Sequence, residues 1–497
     1  MLTRREFIRG SIASTALAFW PSGCAWRFLE PGQIVVNDLH SQLNPTHVDH
    51  LVSLESFSHL QKVLQLARTE GKEISIAGGR HAMGGQQFGT DTILLDMTKM
   101  NQVILFDPQK GEIEVEAGIQ WPELTDYLLQ VQLGQRRQWG IIQKQTGADR
   151  LSIGGALSAN VHGRGLRFKP FIGDVESFML IDADGIPRKC SRLENPELFR
   201  LVIGGYGLLG IITSVTLRLA PRRKVERAVE VIEVEDLIPT VEKRIVEGFL
   251  YGDFQYSTNA ASDDFIKKGV FSCYRPVPEN TPVLEKQKEL SVEDWRKLIY
   301  LGHVDKKQAF EFYSTYYLST SGQIYWSDTH QLSVYIDNYH QWLDRKLGAS
   351  EKATEVITEI YVPRHALISF LRDVRKDFRA NNVEVIYGTI RLIEKDDESF
   401  LAWAKEPYAC VIFNLHVVHS PQGLARSQQD FRRLIDLAIG YGGSYFLTYH
   451  RWATRKQVES CYPQLPEFLR LKRKYDPDER FQSDWYRHYK AMFSDVL

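Results

Sequence analysis

The stretch Leu151-Ser152-Ile153-Gly154-Gly155-Ala156-Leu157-Ser158-Ala159-Asn160-Val161-His162-Gly163-Arg164-Gly165 decides the reading of this chain. It does so together with a similar one nearer the N-terminus, Ser75-Ile76-Ala77-Gly78-Gly79-Arg80-His81-Ala82-Met83-Gly84-Gly85-Gln86-Gln87-Phe88. Each is expected to open as a short apolar strand and then run into small residues and a histidine. Glycines let backbone N–H groups approach a phosphate closely and adopt positive φ. Two such loops point to one long, anionic, dinucleotide-like cofactor rather than a small metabolite. No Walker lysine follows the glycines, which directs the reading away from ATP and towards FAD.

Working outward, a third glycine segment spans Gly204-Gly205-Tyr206-Gly207-Leu208-Leu209-Gly210, with Glu230 further on. It satisfies a formal GxGxxG pattern. The dinucleotide fingerprint needs a helix after its glycines. Here the next residues, Ile211 to Leu219, are β-branched and alternate as a strand does, so NAD is not expected. Around these segments the pattern is mixed. Ser56 to Glu70 reads as a helix stopped by Gly71, and Trp121 to Leu133 as a second helix opened by Pro122. Glu73–Ala77, Thr92–Asp96 and Glu112–Ala117 read as strands, and Asp184-Gly185 as the turn of a hairpin. The expected class is α+β.

At 497 residues the chain is long enough for two or three domains. A hydrophobic share of 43% with 25% charged residues is ordinary globular composition. A net charge of −1 gives no electrostatic case for nucleic acid. Five scattered cysteines without a CxxC pair argue against a zinc site or a disulfide framework, and no metal is expected. Residues 1–30 form a separate unit. Thr3-Arg4-Arg5-Glu6-Phe7-Ile8-Arg9 followed by the short apolar run Ile12 to Trp20 reads as a twin-arginine signal, too short to span a bilayer. It implies export to the periplasm through the Tat machinery. Cys24 after Ser22-Gly23 is similar to a lipoprotein cleavage box, which would anchor the product to a membrane, although Pro21 stands where leucine is usual.

The three glycine segments and the tail Tyr475-Asp476-Pro477-Asp478-Glu479-Arg480-Phe481-Gln482-Ser483-Asp484-Trp485 together resemble FAD-binding oxidoreductases of the vanillyl-alcohol-oxidase type, with a PCMH-type FAD domain. That family includes alditol oxidases, sugar-lactone oxidases and decaprenylphosphoryl-ribose oxidase. The resemblance implies a two-lobed FAD-binding domain over residues 45–222. It also implies a substrate domain with a large antiparallel sheet over 223–440, and a C-terminal segment, 441–497, that returns to the FAD domain. Gly78, Gly79, Arg80, Gly84 and Gly85 match the family's pyrophosphate loop. Gly154, Gly155, Ala156, Asn160, His162 and Gly163 match the loop that wraps the flavin. Gly204, Gly205, Gly207, Gly210 and Ile211 match a segment packed along FAD. The Gly-Arg-His context of His81 resembles the alditol-oxidase position that bonds covalently to flavin. A second, cysteinyl link is not expected, because Trp139 to Gly165 contains no cysteine.

Hydride transfer to flavin needs a base for the substrate hydroxyl. Gly388 to Leu392 and Ala409 to His416 read as strands. By the resemblance, His416 falls near a lysine beside the flavin, and Arg391 near another basic residue of that site. His416 is therefore the expected base and Arg391 the expected charge stabiliser, with His450, next to Tyr449 and Arg451, as a further candidate. The activity implied is oxidation of a CH–OH group in a polyol, sugar, lactone or lipid-linked sugar, with oxygen or another electron acceptor. Reduction of a C=C bond, as in the sterol-reductase branch, and non-catalytic flavin binding are the competing readings.

Overall fold

The computed structural model describes residues 34–284 and 286–497. The twin-arginine segment and Cys24 lie outside the described residues. The first lobe is built on a parallel sheet of β1 (His50–Ser53), β2 (Ile74–Ala77) and β3 (Ile93–Asp96), in the order β1-β3-β2. Helix α1 (Phe57–Glu70) crosses from β1 to β2 and buries Leu60, Val63, Leu64 and Ala67, the positions that share one helical face. The Ser56 hydroxyl accepts the His59 N–H at its start, and Gly71, at φ 62°, ends it.

The second lobe is antiparallel. Its strands are β4 (Val103–Asp107), β5 (Glu112–Glu116), β6 (Val175–Ile181), β7 (Pro187–Ser191) and β8 (Ile211–Arg218), in the order β7-β6-β8-β5-β4. The β6–β7 hairpin turns at Asp184-Gly185, and the glycine segment before Ile211 leads into a strand rather than a helix. Helix α2 (Trp121–Val131) starts at Pro122, as its sequence suggests.

One expectation is corrected here. The second glycine segment does not open as a strand. Ser152 caps α3 (Ile153–Ala159), accepting the Gly155 N–H, and Asn160 ends the helix at φ 47°. Two glycines in a first turn oppose a helix by propensity. Packing overrides them, because a Cβ at Gly154 would stand 2.9 Å from the Ala117 methyl carbon.

The largest element is an eight-stranded antiparallel sheet. It contains β9 (Lys224–Glu233), β10 (Tyr251–Tyr256), β11 (Lys268–Pro276), β12 (Ile324–Trp326), β13 (Ala353–Pro363), β14 (Val385–Ile393), β15 (Tyr408–Val418) and β16 (Ser444–Tyr445). Their order is β12-β9-β11-β10-β14-β15-β13-β16. Side chains alternate between its faces. Val411, Phe413 and Leu415 face one side, where α6 (Leu367–Ala380) and α7 (Pro421–Gly440) cover them; Phe378 meets Phe413 edge-on at 5.4 Å. The opposite face carries Glu355, Ile357 and Glu359 beside their strand partners His416, Asn414 and Ile412. Helices α4 (Val292–Val304) and α5 (Tyr339–Leu347) stand at one end of that face.

The tail closes the molecule. Helix α8 (Leu465–Tyr475) leads to Asp476, and from there Arg480 to Gln482 hydrogen-bonds along Ile74 of β2. Phe481 enters the first lobe's core with Leu60, Ile74 and Leu95. Helix α9 (Asp484–Met492) then sets Trp485 against Tyr206, ring centres 4.8 Å apart.

A buried acid in the second lobe gives a stability prediction. Burial raises the Asp174 carboxyl to about 7, outweighing Gln143 and Arg218, and its Oδ2 has no hydrogen-bond partner. The raised value means that folding favours the neutral acid. The contribution is fully present below the unfolded value near 3.8 and is lost as pH rises through about 7. Asp174→Asn is therefore expected to raise the melting temperature at pH 8 and to change it little at pH 4. Equal shifts at both pH values in a thermal scan would refute this account.

Candidate active site

The two lobes and the polar face of the large sheet enclose a cleft with roughly 1400 Å³ of empty space, part of it open to solvent. One wall is glycine-rich. Gly78, Gly79, Arg80 and His81 follow β2; Gly154, Gly155 and Ala156 belong to α3; Gly207 and Gly210 precede β8. The walls interlock closely, since a Cβ on Gly78 would fall 2.0 Å from the Ser152 hydroxyl and one on Gly79 would fall 2.2 Å from the Arg150 carbonyl oxygen. The facing wall is chemically different. It carries Ile357 and Glu359 of β13, Arg391 of β14, and Phe446, Thr448 and Tyr449 from the segment after β16.

Glu359 is the centre of that second wall. Its Oε2 lies 2.8 Å from His162 Nε2 and accepts from the Tyr361 hydroxyl at 2.9 Å, and its Oε1 accepts from Tyr449 at 2.7 Å. Burial alone would raise this carboxyl. The charge and hydrogen bond of His162, the Tyr449 hydroxyl and the Arg391 guanidinium bring it down to about 2, so it is a carboxylate at working pH. On the glycine wall, His81 Nδ1 sits 2.9 Å from His40 Nε2. Burial lowers His81 to about 3 and His40 to about 4, so both imidazoles are neutral near pH 7.

Not every expected residue reaches the cleft. Gly78, Gly79, Arg80, His81, Gly154, Gly155, Ala156, His162, Gly207, Gly210 and Arg391 line it. Gly84, Gly85, Gly163, Gly204, Gly205 and Ile211 do not; they shape the turns and strand behind the wall. The Asn160 side chain is committed elsewhere, donating to Asp396 and accepting the Ile172 N–H. The two histidines expected in catalysis also stand apart. His450 is sandwiched among Phe431, Tyr445 and Trp452, where burial lowers it to about 3. His416 lies opposite Glu355, four residues along β15 from the partner of Glu359, or roughly 13 Å at strand rise. Sequence reasoning missed Glu359. The available signal was a carboxylate within the β-branched run Ala353 to Pro363, an expensive residue to bury without a task.

Among the described residues, three buried polar atoms of the lining have no protein partner: Gln86 Oε1, Gln87 Oε1 and Arg391 Nε. A ligand carrying both hydrogen-bond donors and acceptors fits them. Comparison with known proteins identifies that ligand. Residues 48–191 match an FAD binding domain, and residues 325–489 match a D-arabinono-1,4-lactone oxidase model. The chain is an FAD-dependent oxidoreductase with a PCMH-type FAD domain. The oxidoreductase is 22% identical over 453 residues to L-gulonolactone oxidase of Mus musculus, covering 86% of this chain and 92% of the relative. It is 23% identical over 445 residues to L-gulono-1,4-lactone dehydrogenase of Mycobacterium tuberculosis, covering 88% and 95%. A D-arabinono-1,4-lactone oxidase of Candida albicans is 28% identical over 193 residues, 36% of this chain and 33% of the relative. In the oxidoreductase the glycine wall would hold the FAD diphosphate and ring through backbone groups, and the Glu359–Arg391 wall would face the substrate.

Proposed function

We propose that this enzyme is an exported oxidoreductase that removes a hydride from a CH–OH carbon of a sugar lactone or a related polyol and passes it to FAD. The observation that carries the reading is a carboxylate, Glu359, and a guanidinium, Arg391, whose Nε has no partner among the described residues, set together on the wall opposite the glycines. Bound FAD supplies the hydride acceptor. Glu359 and the Tyr449 hydroxyl would hold the substrate hydroxyl and its departing proton. Arg391 would stabilise the negative charge that develops as the C–H bond breaks. Residues 45–222 would bind the cofactor, 223–440 would supply the substrate wall and 441–497 would close the site. Named relatives include oxidases and a dehydrogenase, so oxygen and a separate acceptor are both to be assayed.

The deciding experiment mixes purified enzyme anaerobically with L-gulono-1,4-lactone, D-arabinono-1,4-lactone and simple polyols while flavin absorbance is followed. Bleaching of the oxidised flavin by at least one lactone or polyol is expected. Failure of the whole panel to reduce FAD-loaded enzyme would overturn the reading.

Two parts of the proposal are tested separately. His81 is read as a covalent attachment point because it is neutral, lines the cleft and has His40 beside it to take a proton. Acid denaturation should leave flavin on the peptide containing His81, whereas release of intact FAD would remove the link. Export through the twin-arginine segment predicts that Arg4→Lys combined with Arg5→Lys retains the protein in the cytoplasm. Anchoring at Cys24 predicts that Cys24→Ala frees it from the membrane fraction.

A further inference from the structure

We propose that His303, His340, His416 and Glu355 bind a divalent transition-metal ion, with Zn(II) the best match, at the end of the large sheet beside the substrate wall. Three imidazoles converge on one carboxylate there. His303 Nε2 lies 2.9 Å and His416 Nδ1 3.3 Å from Glu355 Oε1, while His340 Nδ1 lies 2.9 Å from Oε2. Ligand atoms of His303, Glu355 and His416 all fall within 4.8 Å of one another. A tetrahedral zinc site with bonds of about 2.0 Å has ligand-to-ligand edges of about 3.3 Å, close to the His303–Glu355 and His416–Glu355 separations; His340, on the other carboxylate oxygen, would have to swing in to complete it.

The hydrogen bonds point the same way. His303 Nδ1 is 2.9 Å from the Ile299 carbonyl, one turn back on α4. A carbonyl only accepts, so Nδ1 carries a proton, and in the neutral ring Nε2 turns a lone pair towards Glu355. That is the tautomer, held by the outer partner, which metal-bound histidines adopt. Left alone, a lone pair and a carboxylate oxygen at 2.9 Å repel. His340 adds a second contact: it is 2% exposed, and its Nδ1 sits 2.9 Å from the other carboxylate oxygen, which also accepts from the Tyr339 hydroxyl. A divalent cation would gather these ring nitrogens and the carboxylate about one centre. Three imidazoles and a carboxylate suit zinc and its transition-metal neighbours, not magnesium or calcium. Cysteine spacing argues against a cysteine zinc site but says nothing of three histidines and a glutamate drawn from four separated elements.

The ion would act through position. It would tie α4 and α5 to β13 and β15, and Glu355 is two residues before the cleft-lining Ile357 on the same strand face. The site stands apart from the flavin wall, so its fate is separable from FAD binding.

The test uses full-length FAD-loaded enzyme, purified without a metal-affinity tag or chelator. Elemental analysis should find about one zinc or neighbouring first-row metal per chain. After chelation, titration with Zn(II) against a chromophoric competitor should show saturable uptake. Hydrogen exchange across 292–304 and 339–347 should quicken on chelation while flavin content stays constant. His416→Ala, at the most exposed of the three histidines, should weaken Zn(II) binding by more than the about 10–100-fold that outer-shell partners contribute, and His303→Gln should do likewise. If those variants fail to fold, X-ray absorption on zinc-loaded wild type should show N/O ligands at about 2.0 Å with imidazole scattering. A wild-type protein with no bound metal and no saturable Zn(II) uptake overturns the proposal, as does uptake that neither variant weakens.

Discussion

Replacing Glu359 by glutamine is expected to leave FAD bound and to slow flavin reduction by a lactone or polyol by about 10²–10⁴-fold, the range for a lost proton-handling group. The substitution keeps the side chain's size and its ability to meet Tyr361 and Tyr449, so the cleft should persist. What it removes is the charge. Glu359 is a carboxylate through the physiological range, held there by His162 and Arg391 despite its burial. Its loss takes away the acceptor for the substrate's proton and the counter-charge to Arg391 together. Rapid-mixing measurement under anaerobic conditions isolates the reductive step from reoxidation. Flavin absorbance and melting temperature report whether the site survived. Because the carboxyl titrates near about 2, any pH limb in the wild-type reaction near neutrality belongs to another group and should remain in the variant. A reduction rate within a few-fold of wild type would remove Glu359 from the chemistry.

The largest stability effect is expected at the tail. Asp476→Ala should destabilise the protein by about 3–5 kcal/mol, the consequence of breaking a buried ion pair from one side. Lys472 and Asp476 are both wholly buried, with Nζ 2.5 Å from Oδ2. The same carboxylate accepts the backbone N–H groups of Arg480 and Phe481. Alanine therefore strands an ammonium in the core and frees two amides that set the tail's turn. That turn delivers Arg480 to Gln482 onto Ile74, directly before the Gly78–His81 wall. A lower melting temperature should thus come with poorer FAD retention. Restoring packing without charge, by Lys472→Met added to Asp476→Ala, should recover part of the stability. A melting temperature unchanged by Asp476→Ala would refute the account.

Much of this architecture was legible from local signals. Ser56 and Gly71 bracket α1, Asp184-Gly185 turns a hairpin, and β-branched residues after Gly210 announce a strand where a nucleotide-binding helix would otherwise follow. Each depends on neighbours in sequence. The helix at Ile153 was hidden because its glycines are there for contact with Ala117, which is remote in sequence. The site divides in the same way. Arg391 is reached through the resemblance, which sets a basic residue near that position. Glu359 escaped notice because its meaning depends on His162, Tyr449 and Arg391, brought together from separate parts of the chain. The resemblance sets His416 beside the flavin, and strand periodicity identifies its face but says nothing about distance along it. The facing sheet is long enough to hold two separate polar clusters, one around Glu359 and one around Glu355.

The tail's return also sets a timetable. Glu73 and Arg487 pair across 414 residues of chain, beside the seam where Gln482 meets Ile74. At about 5–20 residues per second of synthesis, the first lobe must wait tens of seconds for the strand that completes its edge. The nascent chain carries an unfinished cofactor cradle until Arg480 to Gln482 has been made. Flavin capture is thus expected to wait for residues 480–487, and a polypeptide ending before Asp476 should emerge colourless.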